Sequence, residues 1–443
     1  MAESFAESGV PVFLSDVKGD LAGMCLPGQS NEKIEERLNS IGITNFEFKG
    51  FPTIFWDVYG KGGHPIRTTV KNVGSIILSR MLGLTETQAG VISIVFKVAE
   101  DENLELIDLK DLKRILQYVG DKRKEYSLTY GNVTTQSIGA IQRSILMLEE
   151  QGADKFFGEP AIDINDFLKL NDKGIGNINI LHAVELFTNP NLYACFMLWI
   201  LTYLNQNMPE VGDLDKPKLV FFFDEAHLLF DNMPNYMLTQ VTQVVKLIRS
   251  KGIGLYFISQ TPMDIPGDIL AQLGNRVQHT LRAYTPAEQK IVKSVASSFR
   301  ANDEFKTEDA IMALKTGEAL ISFVNENGEP NIVQKATILP PQSMMGAIDD
   351  STRLMAMNGS LYKGKYDTLI DKESAFEKLN AQTEAENKSK EEEEKKKAEG
   401  KASSATTKKK KSAVEKGVEK VANSAFSAIG RKLGSEIIKK FFK

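Results

Sequence analysis

The 443-residue sequence has little of what stabilises small secreted folds, structural zinc sites or membrane spans. Its two cysteines, Cys25 and Cys195, lie far apart and form no CxxC or CxxH spacing, which argues against a disulfide framework and a cysteine-based zinc site. The N-terminal residues show no basic, apolar leader. The most apolar helix candidate, residues 194–203, has roughly half the length that spans a bilayer. These absences predict a cytoplasmic protein without a transmembrane segment.

Neither sign of charge is in large excess. The chain carries 54 Lys and Arg and 58 Asp and Glu, a net charge of −4, which does not favour nucleic acid as a partner of the whole chain. The distribution is uneven, because residues 380–443 hold 17 Lys and Arg and 10 Asp and Glu, a net of +7, which leaves −11 for the rest. Such a basic tail is either an interaction segment or a solubilising extension.

Hydrophobic residues make up 42% of the chain, which is enough to bury a sizeable core. Apolar runs without polar alternation recur between helical patterns in the second half of the chain. This alternation is typical of an α/β fold, in which helices cover both faces of a parallel sheet. The expected strands are residues 10–14, 43–48, 53–58, 177–181, 218–223, 254–259, 276–281, 317–323 and 331–336.

Composition and periodicity also predict the domain organisation. The expected divisions are a globular domain of residues 1–345 with a helical insertion at about residues 65–155, a helical extension (346–379), a charged low-complexity linker (380–412) and an amphipathic C-terminal helix (413–443). Within the insertion, Thr85 with Gln88 and Asp108 with Asp111 have the spacing of helix-starting capping boxes. The C-terminal helix could pack on its own core, bind a partner helix or lie on an anionic membrane surface.

The clearest candidate for chemistry is the segment KLVFFFDEAH at residues 218–227. An apolar strand there ends in Asp224 and Glu225, at the edge where α/β sheets bind their ligands. In nucleotide hydrolases the first acid of such a pair binds Mg²⁺ and the second orients and deprotonates the attacking water. The alternative is a buried strand that simply ends in a polar loop.

Two further strand ends carry polar groups. Ser259 and Gln260 follow the next strand and would lie beside the acid pair if the two strands are neighbours; Gln260 could then bond a γ-phosphate or the attacking water. Asp16 and Lys18 follow the first strand and could face the nucleotide. Each set has a plain alternative, a satisfied strand end in the first case and an ordinary loop in the second.

Arginines near this region are candidates for stabilising the charge of a transferring phosphoryl group. Arg249 ends a predicted helix, and Arg276 and Arg282 flank a predicted strand. Surface ion pairs are the alternative for each. The sequence GKGGH at residues 60–64 lacks the GxxxxGK[ST] spacing and is interpreted as a turn. His227 and His279 are isolated and are interpreted as structural.

Several motifs in a fixed order resemble one family. They are VPVFLSDVKGDLAG (10–23), GHPIRTT (63–69), GAIQR (139–143), LEEQG (148–152), LVFFFDEAHLLFD (219–231) and LGNRVQH (273–279). Over residues 1–342 the chain is similar to the bacterial HerA-like ATPases, relatives of the FtsK and HerA DNA-pumping motors. The resemblance implies a RecA-like P-loop NTPase fold, ATP with Mg²⁺, and a homohexamer. It assigns the Walker B metal ligand to Asp224, water activation to Glu225, a sensor role to Gln260 and an arginine finger to Arg276 or Arg282.

The sequence departs from that family at one point, because no GxxxxGK[ST] segment, the Walker A loop, occurs in the 443 residues. Without it there is no backbone cradle or lysine for the phosphates. We therefore expect an N-terminally truncated start, with the strand and loop encoded upstream. Two functions remain open: a motor or remodeller, acting on DNA by family analogy alone, and a non-enzymatic scaffold that binds partners through its basic tail. The DEAH letters also occur in superfamily-2 helicases, whose other motifs are missing.

Overall fold

The computed structural model describes residues 1–406, and residues 394–406 are described by their backbone alone. Nine strands are present in this part. They are β1 (Val12–Asp16), β2 (Thr53–Asp57), β3 (His64–Pro65), β4 (Ile178–His182), β5 (Leu219–Phe223), β6 (Ile253–Phe257), β7 (Arg276–Gln278), β8 (Glu318–Ser322) and β9 (Gln334–Thr337). The expected C-terminal helix at 413–443 lies outside the described residues.

Fifteen α-helices accompany the strands in the described part of the chain. They are α1 (Ala2–Glu7), α2 (Glu32–Ser40), α3 (Val70–Met81), α4 (Glu86–Asp101), α5 (Leu109–Asp121), α6 (Arg123–Tyr130), α7 (Thr135–Glu150), α8 (Pro190–Asn207), α9 (His227–Phe230), α10 (Asn235–Leu247), α11 (Gly267–Leu270), α12 (Pro286–Ser297), α13 (Thr307–Ala313), α14 (Asp350–Asn358) and α15 (Ala375–Thr406). None of the described helices is both long and apolar enough to cross a bilayer.

Six strands form one parallel sheet in the order β3-β2-β4-β1-β5-β6. Every pairing in it is parallel, and β1 lies between β4 and β5 in the middle of the sheet. Since parallel strands need a crossover between them, the connections carry the helices that cover the sheet. The expectation of an α/β fold with a parallel sheet flanked by helices is confirmed.

The two faces of the sheet bury different side chains of the same strands, because neighbouring side chains point to opposite faces. Phe13, Phe221 and Phe223 belong to the larger core, to which α3, α8 and α10 contribute. Val12 and Phe222 belong to the smaller core on the other face, with residues of α1 and α14. The apolar helix α8 is buried along most of its length, as expected for a core helix.

The insertion between β3 and β4 consists of α3 to α7, and two of its helices begin where the sequence predicts. Thr85 and Gln88 form a capping box at the start of α4. Asp108 and Asp111 form a second one at the start of α5. A cap uses only residues within one turn, which is why sequence alone identifies it.

One predicted strand is absent. Residues 43–48 form no strand in the structure, although Phe46 and Phe48 flank the exposed Glu47 as in a strand. Phe46 and Phe48 are half-buried and contact each other edge to face. The backbone after them bonds to a loop, where Lys49 N donates to Gln342 O, and not to a sheet. Half-buried side chains two residues apart therefore do not show here that the segment pairs with a strand of a sheet.

The C-terminal part of the chain contains a small sheet and a long helix. Strands β7, β8 and β9 form an antiparallel sheet in that order, covered by α12 and α13. Residues 1–379 form one compact unit. Within it, Tyr362 and Tyr366 are buried against Trp56 and fix the segment that follows α14. The remaining described residues belong to α15, which begins at Ala375.

Candidate functional site

The carboxyl ends of β1, β4, β5 and β6 lie side by side at one edge of the parallel sheet. The register pairs Asp16 with His182 and Phe223 with Phe257. Ligands of open α/β sheets bind outside this edge. The polar residues that follow these strands in the sequence therefore belong to one place in the fold.

Backbone pairing between β5 and β6 continues beyond the two strands. Ile258 N donates to Phe223 O at 2.9 Å, and Ala226 N donates to Ile258 O at 2.8 Å. The acid pair, Asp224 and Glu225, lies on the segment between these two bonds. The strands that precede Asp224 and Gln260 are thus neighbours, as the sequence analysis assumed. Gln260 lies two residues beyond Ile258, the last residue of this pairing.

Asp224 is half-buried, and its environment controls its charge. Burial raises the pKa of the Asp224 carboxyl, an N–H from Glu225 to Oδ1 at 3.0 Å opposes the rise, and the nearby Glu225 charge adds to it. Lys18 lowers the pKa and Asp20 raises it, so the loop after β1 acts on this carboxylate. A desolvated carboxylate, one oxygen of which accepts no hydrogen bond from the described residues, is suited to bind a cation.

The backbone of Asp224 is fixed by a residue that the sequence analysis missed. The hydroxyl of Tyr193, on α8, donates to Asp224 O at 2.9 Å and shares a hydrogen bond with Ser15 Oγ at 2.8 Å. Tyr193 is fully buried. A buried tyrosine hydroxyl needs a partner, so a tyrosine in the most apolar helix was a signal that could have indicated this bridge between β1 and β5.

Glu225 has an unusual backbone conformation, with φ of 49°. Its side chain is 15% exposed, and Oε2 lies 3.4 Å from His227 Nδ1. Positive φ is uncommon for residues other than glycine, asparagine and aspartate, and it clusters at functional sites. The conformation gives the second acid a direction different from that of a regular strand end.

Asp16 does not offer a free carboxylate to a ligand. Its oxygens accept N–H bonds from Gly19 at 2.7 Å, Asp20 at 3.1 Å and Leu21 at 3.1 Å. Burial raises its pKa, and these bonds oppose the rise. The structure therefore places Asp16 as the residue that folds the loop after β1, and this loop holds Lys18 exposed near Asp224.

Ser259 and Gln260 differ in whether their side chains already form a hydrogen bond within the described residues. Ser259 Oγ donates to Asp264 Oδ2 at 2.5 Å, so its hydroxyl is engaged within its own loop. Gln260 is exposed, and its side chain is free to turn toward a ligand.

The candidate arginines also differ. Arg276 Nη1 donates to Ser298 O at 2.5 Å, and its guanidinium lies 6.0 Å from the centre of the Phe299 ring, so it joins β7 to the end of α12. Arg249 pairs with Asp213 at 2.9 Å, and both are highly exposed. Arg282 is exposed and has no hydrogen-bond or ion-pair partner among residues 1–406. Of the three, Arg282 is the one whose guanidinium is available to another molecule.

His182, at the end of β4, is a second residue of this edge that no local sequence pattern identifies. Burial lowers the pKa of its imidazole, and nearby Arg353 lowers it further. The ring packs on Gly62, where a Cβ would lie 2.4 Å from His182 Cδ2. In the neighbouring loop, the Asp57 carboxylate accepts N–H bonds from Tyr59, Lys61 and Gly62, so GKGGH begins in a turn folded around the carboxylate that precedes it, as expected.

The donors at this edge can be compared with what Mg²⁺ needs. Among the described residues no group of three or more His, Cys, Asp or Glu is arranged to hold a metal. Mg²⁺ in nucleotide sites is bound by one or two carboxylates together with phosphate oxygens and waters. A single half-buried carboxylate at Asp224 fits that kind of site, and does not fit a metal cage made by the protein alone.

The family model and two related sequences that match this chain are described as HerA or HerA-like helicases. The model of the family described as helicase HerA-like C-terminal matches residues 1–443. The DNA double-strand break repair helicase HerA of Sulfolobus acidocaldarius is 24% identical over 193 residues, 43% of this chain and 36% of the relative. The HerA of Sulfurisphaera tokodaii is 27% identical over 151 residues, 33% of this chain and 29% of the relative. The matched segments thus span well under half of these relatives.

Solved structures align over more of the chain but with low scores. VirB4 of Thermoanaerobacter pseudethanolicus has a TM-score of 0.43 and 15% identity, covering 78% of this chain and 84% of that chain. The bacterial conjugative coupling protein TrwBdeltaN70 has a TM-score of 0.42 and 12% identity, covering 78% of this chain and 89% of that chain. Similarities at this level carry no argument about chemistry.

Proposed function

The chain belongs to the helicase HerA-like C-terminal family, and from that membership and the geometry of its strand ends we propose that it hydrolyses ATP as part of a DNA motor or remodeller. Its parallel sheet flanked by helices agrees with the RecA-like P-loop NTPase fold that the family resemblance implies. One observation carries the proposal: Asp224 and Glu225 directly follow the buried strand β5, and Gln260 follows β6, the parallel strand that pairs with β5.

Each of these side chains has a role that its surroundings support. Asp224 binds Mg²⁺, which offsets the cost of an ionised, half-buried carboxylate. Glu225 orients the attacking water and accepts its proton, and Gln260 contacts the γ-phosphate or that water. Lys18 lies close enough to Asp224 to lower its pKa, so a nucleotide bound at Asp224 also lies within the influence of its positive charge.

The phosphates need a backbone cradle that residues 1–443 do not contain as a GxxxxGK[ST] segment. Among the described strands, β6 and β7 each have one edge without a partner. A parallel strand added beside β6 would end at the same edge as Asp224 and would deliver a glycine-rich loop to it. In this proposal, ATP binding depends on such a strand and loop.

The family resemblance also bears on assembly. A homohexamer would let one subunit supply an arginine to the nucleotide of its neighbour, and Arg282 is the candidate that is exposed and unpaired among the described residues. Arg276 is a weaker candidate, because its guanidinium already bonds to Ser298 O. DNA enters as a substrate through the relatives, which are named as DNA double-strand break repair helicases.

The proposal is tested with the protein expressed from its own gene. Glu225→Gln should reduce ATP turnover by about 100-fold or more and leave ATP affinity within about threefold, because the amide cannot accept the water proton. Glu36→Gln, on the exposed side of α2, is a control for the loss of one negative charge. Equal turnover in Glu225→Gln and wild type would remove the assigned role. Absence of DNA binding and of DNA-stimulated turnover would leave an ATPase with another substrate.

The second candidate is a non-enzymatic scaffold that binds partners through its basic tail. One observation favours it, the lack of a GxxxxGK[ST] segment in residues 1–443. Titrating these 443 residues with Mg²⁺-ATP separates the two candidates. Measurable affinity contradicts the scaffold, whereas affinity and turnover that are absent even in the protein expressed from its own gene contradict the motor.

A further inference from the structure

His227 follows the acid pair closely, and the hydrolytic roles above do not use it. Its Nδ1 atom lies 3.4 Å from Glu225 Oε2, close enough for an ion pair, but the two atoms are not oriented for a hydrogen bond. Nδ1 is also buried and has no hydrogen-bond partner in the described residues. A buried nitrogen without a partner is costly, and a small rotation of either side chain would complete a bond to the carboxylate.

The backbone of Glu225 is held on both sides, which leaves the direction of its side chain to other contacts. Two further residues other than glycine have positive φ among the described residues, and both are asparagines, which tolerate that region. At Glu225, the N–H donates to Asp224 Oδ1 at 3.0 Å, and the carbonyl accepts from Leu228 N at 3.0 Å. These two bonds keep a backbone conformation that glutamate rarely adopts.

The short helix α9, which begins at His227, is fixed at its other end by the helical insertion. Arg80, on α3, donates from Nη1 to Leu229 O at 3.1 Å and from Nη2 to Asp231 O at 3.2 Å. His227 is therefore attached to a turn that is anchored in the insertion. These two bonds fix the backbone of the turn that places the His227 imidazole beside the Glu225 carboxylate.

We propose that His227 is a positioning residue for Glu225, in contrast to the structural role expected from the sequence. In the working protein Nδ1–H donates to Glu225 Oε2 and fixes the rotamer of the carboxylate that accepts the water proton. The catalytic consequence rests on the proposed function. The hydrogen bond itself does not, so the two can be tested separately.

The first test observes the imidazole and needs no activity. The chain contains four histidines, so protein labelled with ¹⁵N only in histidine gives few signals, and His227→Asn identifies the signals of His227. We expect the Nδ1–H tautomer at His227 in the wild type, and a return to the commoner Nε2–H tautomer in Glu225→Ala. The other three histidines should be unchanged, which shows that the fold is kept; if Ala perturbs them, Glu225→Met, which keeps the length of the side chain and removes the acceptor oxygen, replaces it. An unchanged His227 tautomer overturns the proposal, whatever the ATPase does.

The second test uses two substitutions of equal shape on the protein expressed from its own gene. His227→Asn keeps an N–H donor where Nδ1 lies, and His227→Leu removes it. We expect Leu to lower kcat about tenfold with KM unchanged and Asn to stay within about threefold of wild type, because orientation acts on the chemical step. Equal losses in both would show a structural role alone and contradict the proposal. If the wild type has no turnover, the proposed function fails while the tautomer result still decides the hydrogen bond.

Discussion

Removing the Tyr193 hydroxyl tests how strongly the acid pair is tied to the centre of the sheet. The hydroxyl has one proton, which it donates to Asp224 O at 2.9 Å, so it accepts from Ser15 Oγ at 2.8 Å. Tyr193→Phe deletes both bonds and keeps the ring, which is fully buried. Almost no volume is lost, so the effect is that of the two bonds and not of a cavity.

The magnitude follows from the partners that remain. Each lost bond costs about 1 kcal/mol, and a buried group left without a partner costs about 1–3 kcal/mol. Both the Ser15 hydroxyl and the Asp224 carbonyl lose this partner, so we expect the free energy of unfolding to fall by roughly 2–3 kcal/mol.

Urea unfolding followed by circular dichroism measures this change, with the slope of the transition expected to stay constant. Tyr203→Phe is the matched control, since Tyr203 lies on the same helix and its hydroxyl has no partner in the described residues. The control should change stability by less than about 0.5 kcal/mol. If Tyr193→Phe costs no more than the control, the bridge does not hold the site and the reasoning is refuted.

Three other substitutions give expected outcomes. Gly62→Ala should destabilise the protein by about 1–3 kcal/mol in the same urea titration, because the new Cβ would lie 2.4 Å from His182 Cδ2. Gly90→Ala is the matched control, since Gly90 lies on the exposed side of α4 with nothing within 4 Å of the new Cβ. It should stabilise the protein by about 0.5–1 kcal/mol. Asp224→Asn should stabilise the apoprotein at pH 8, because burial raises the pKa of that carboxyl above 3.8 and its ionised form is disfavoured in the fold. The gain should shrink as pH falls through the raised pKa toward 3.8, and a gain that grows toward acid pH would contradict the assigned direction.

The sequence was informative wherever the determinant was local. The strands of the parallel sheet other than β3 follow from short, mostly apolar runs, and the starts of α4 and α5 follow from caps within one turn. The acid pair was recognisable because its two residues are adjacent and follow a buried strand. The neighbourhood of β5 and β6 was an assumption that the register confirms.

Contacts between distant residues were not predictable in this way. Tyr193 and Asp224 are separated by 31 positions, and no local pattern marks the bond between them. The engagement of Arg276 by Ser298 O also depends on how β7 meets α12. For Asp16 the residue was identified, but its carboxylate folds its own loop, because three N–H groups of residues 19–21 turn toward it.

A structure with Mg²⁺ and a non-hydrolysable ATP analogue, determined on the protein expressed from its own gene, tests the central claim most directly. We expect Mg²⁺ to lie within the water shell of Asp224, and the γ-phosphate to lie between the carboxylate of Glu225 and the side-chain amide of Gln260. A nucleotide bound away from the ends of β5 and β6, or Gln260 turned to the far side of the sheet from Asp224, would contradict the account.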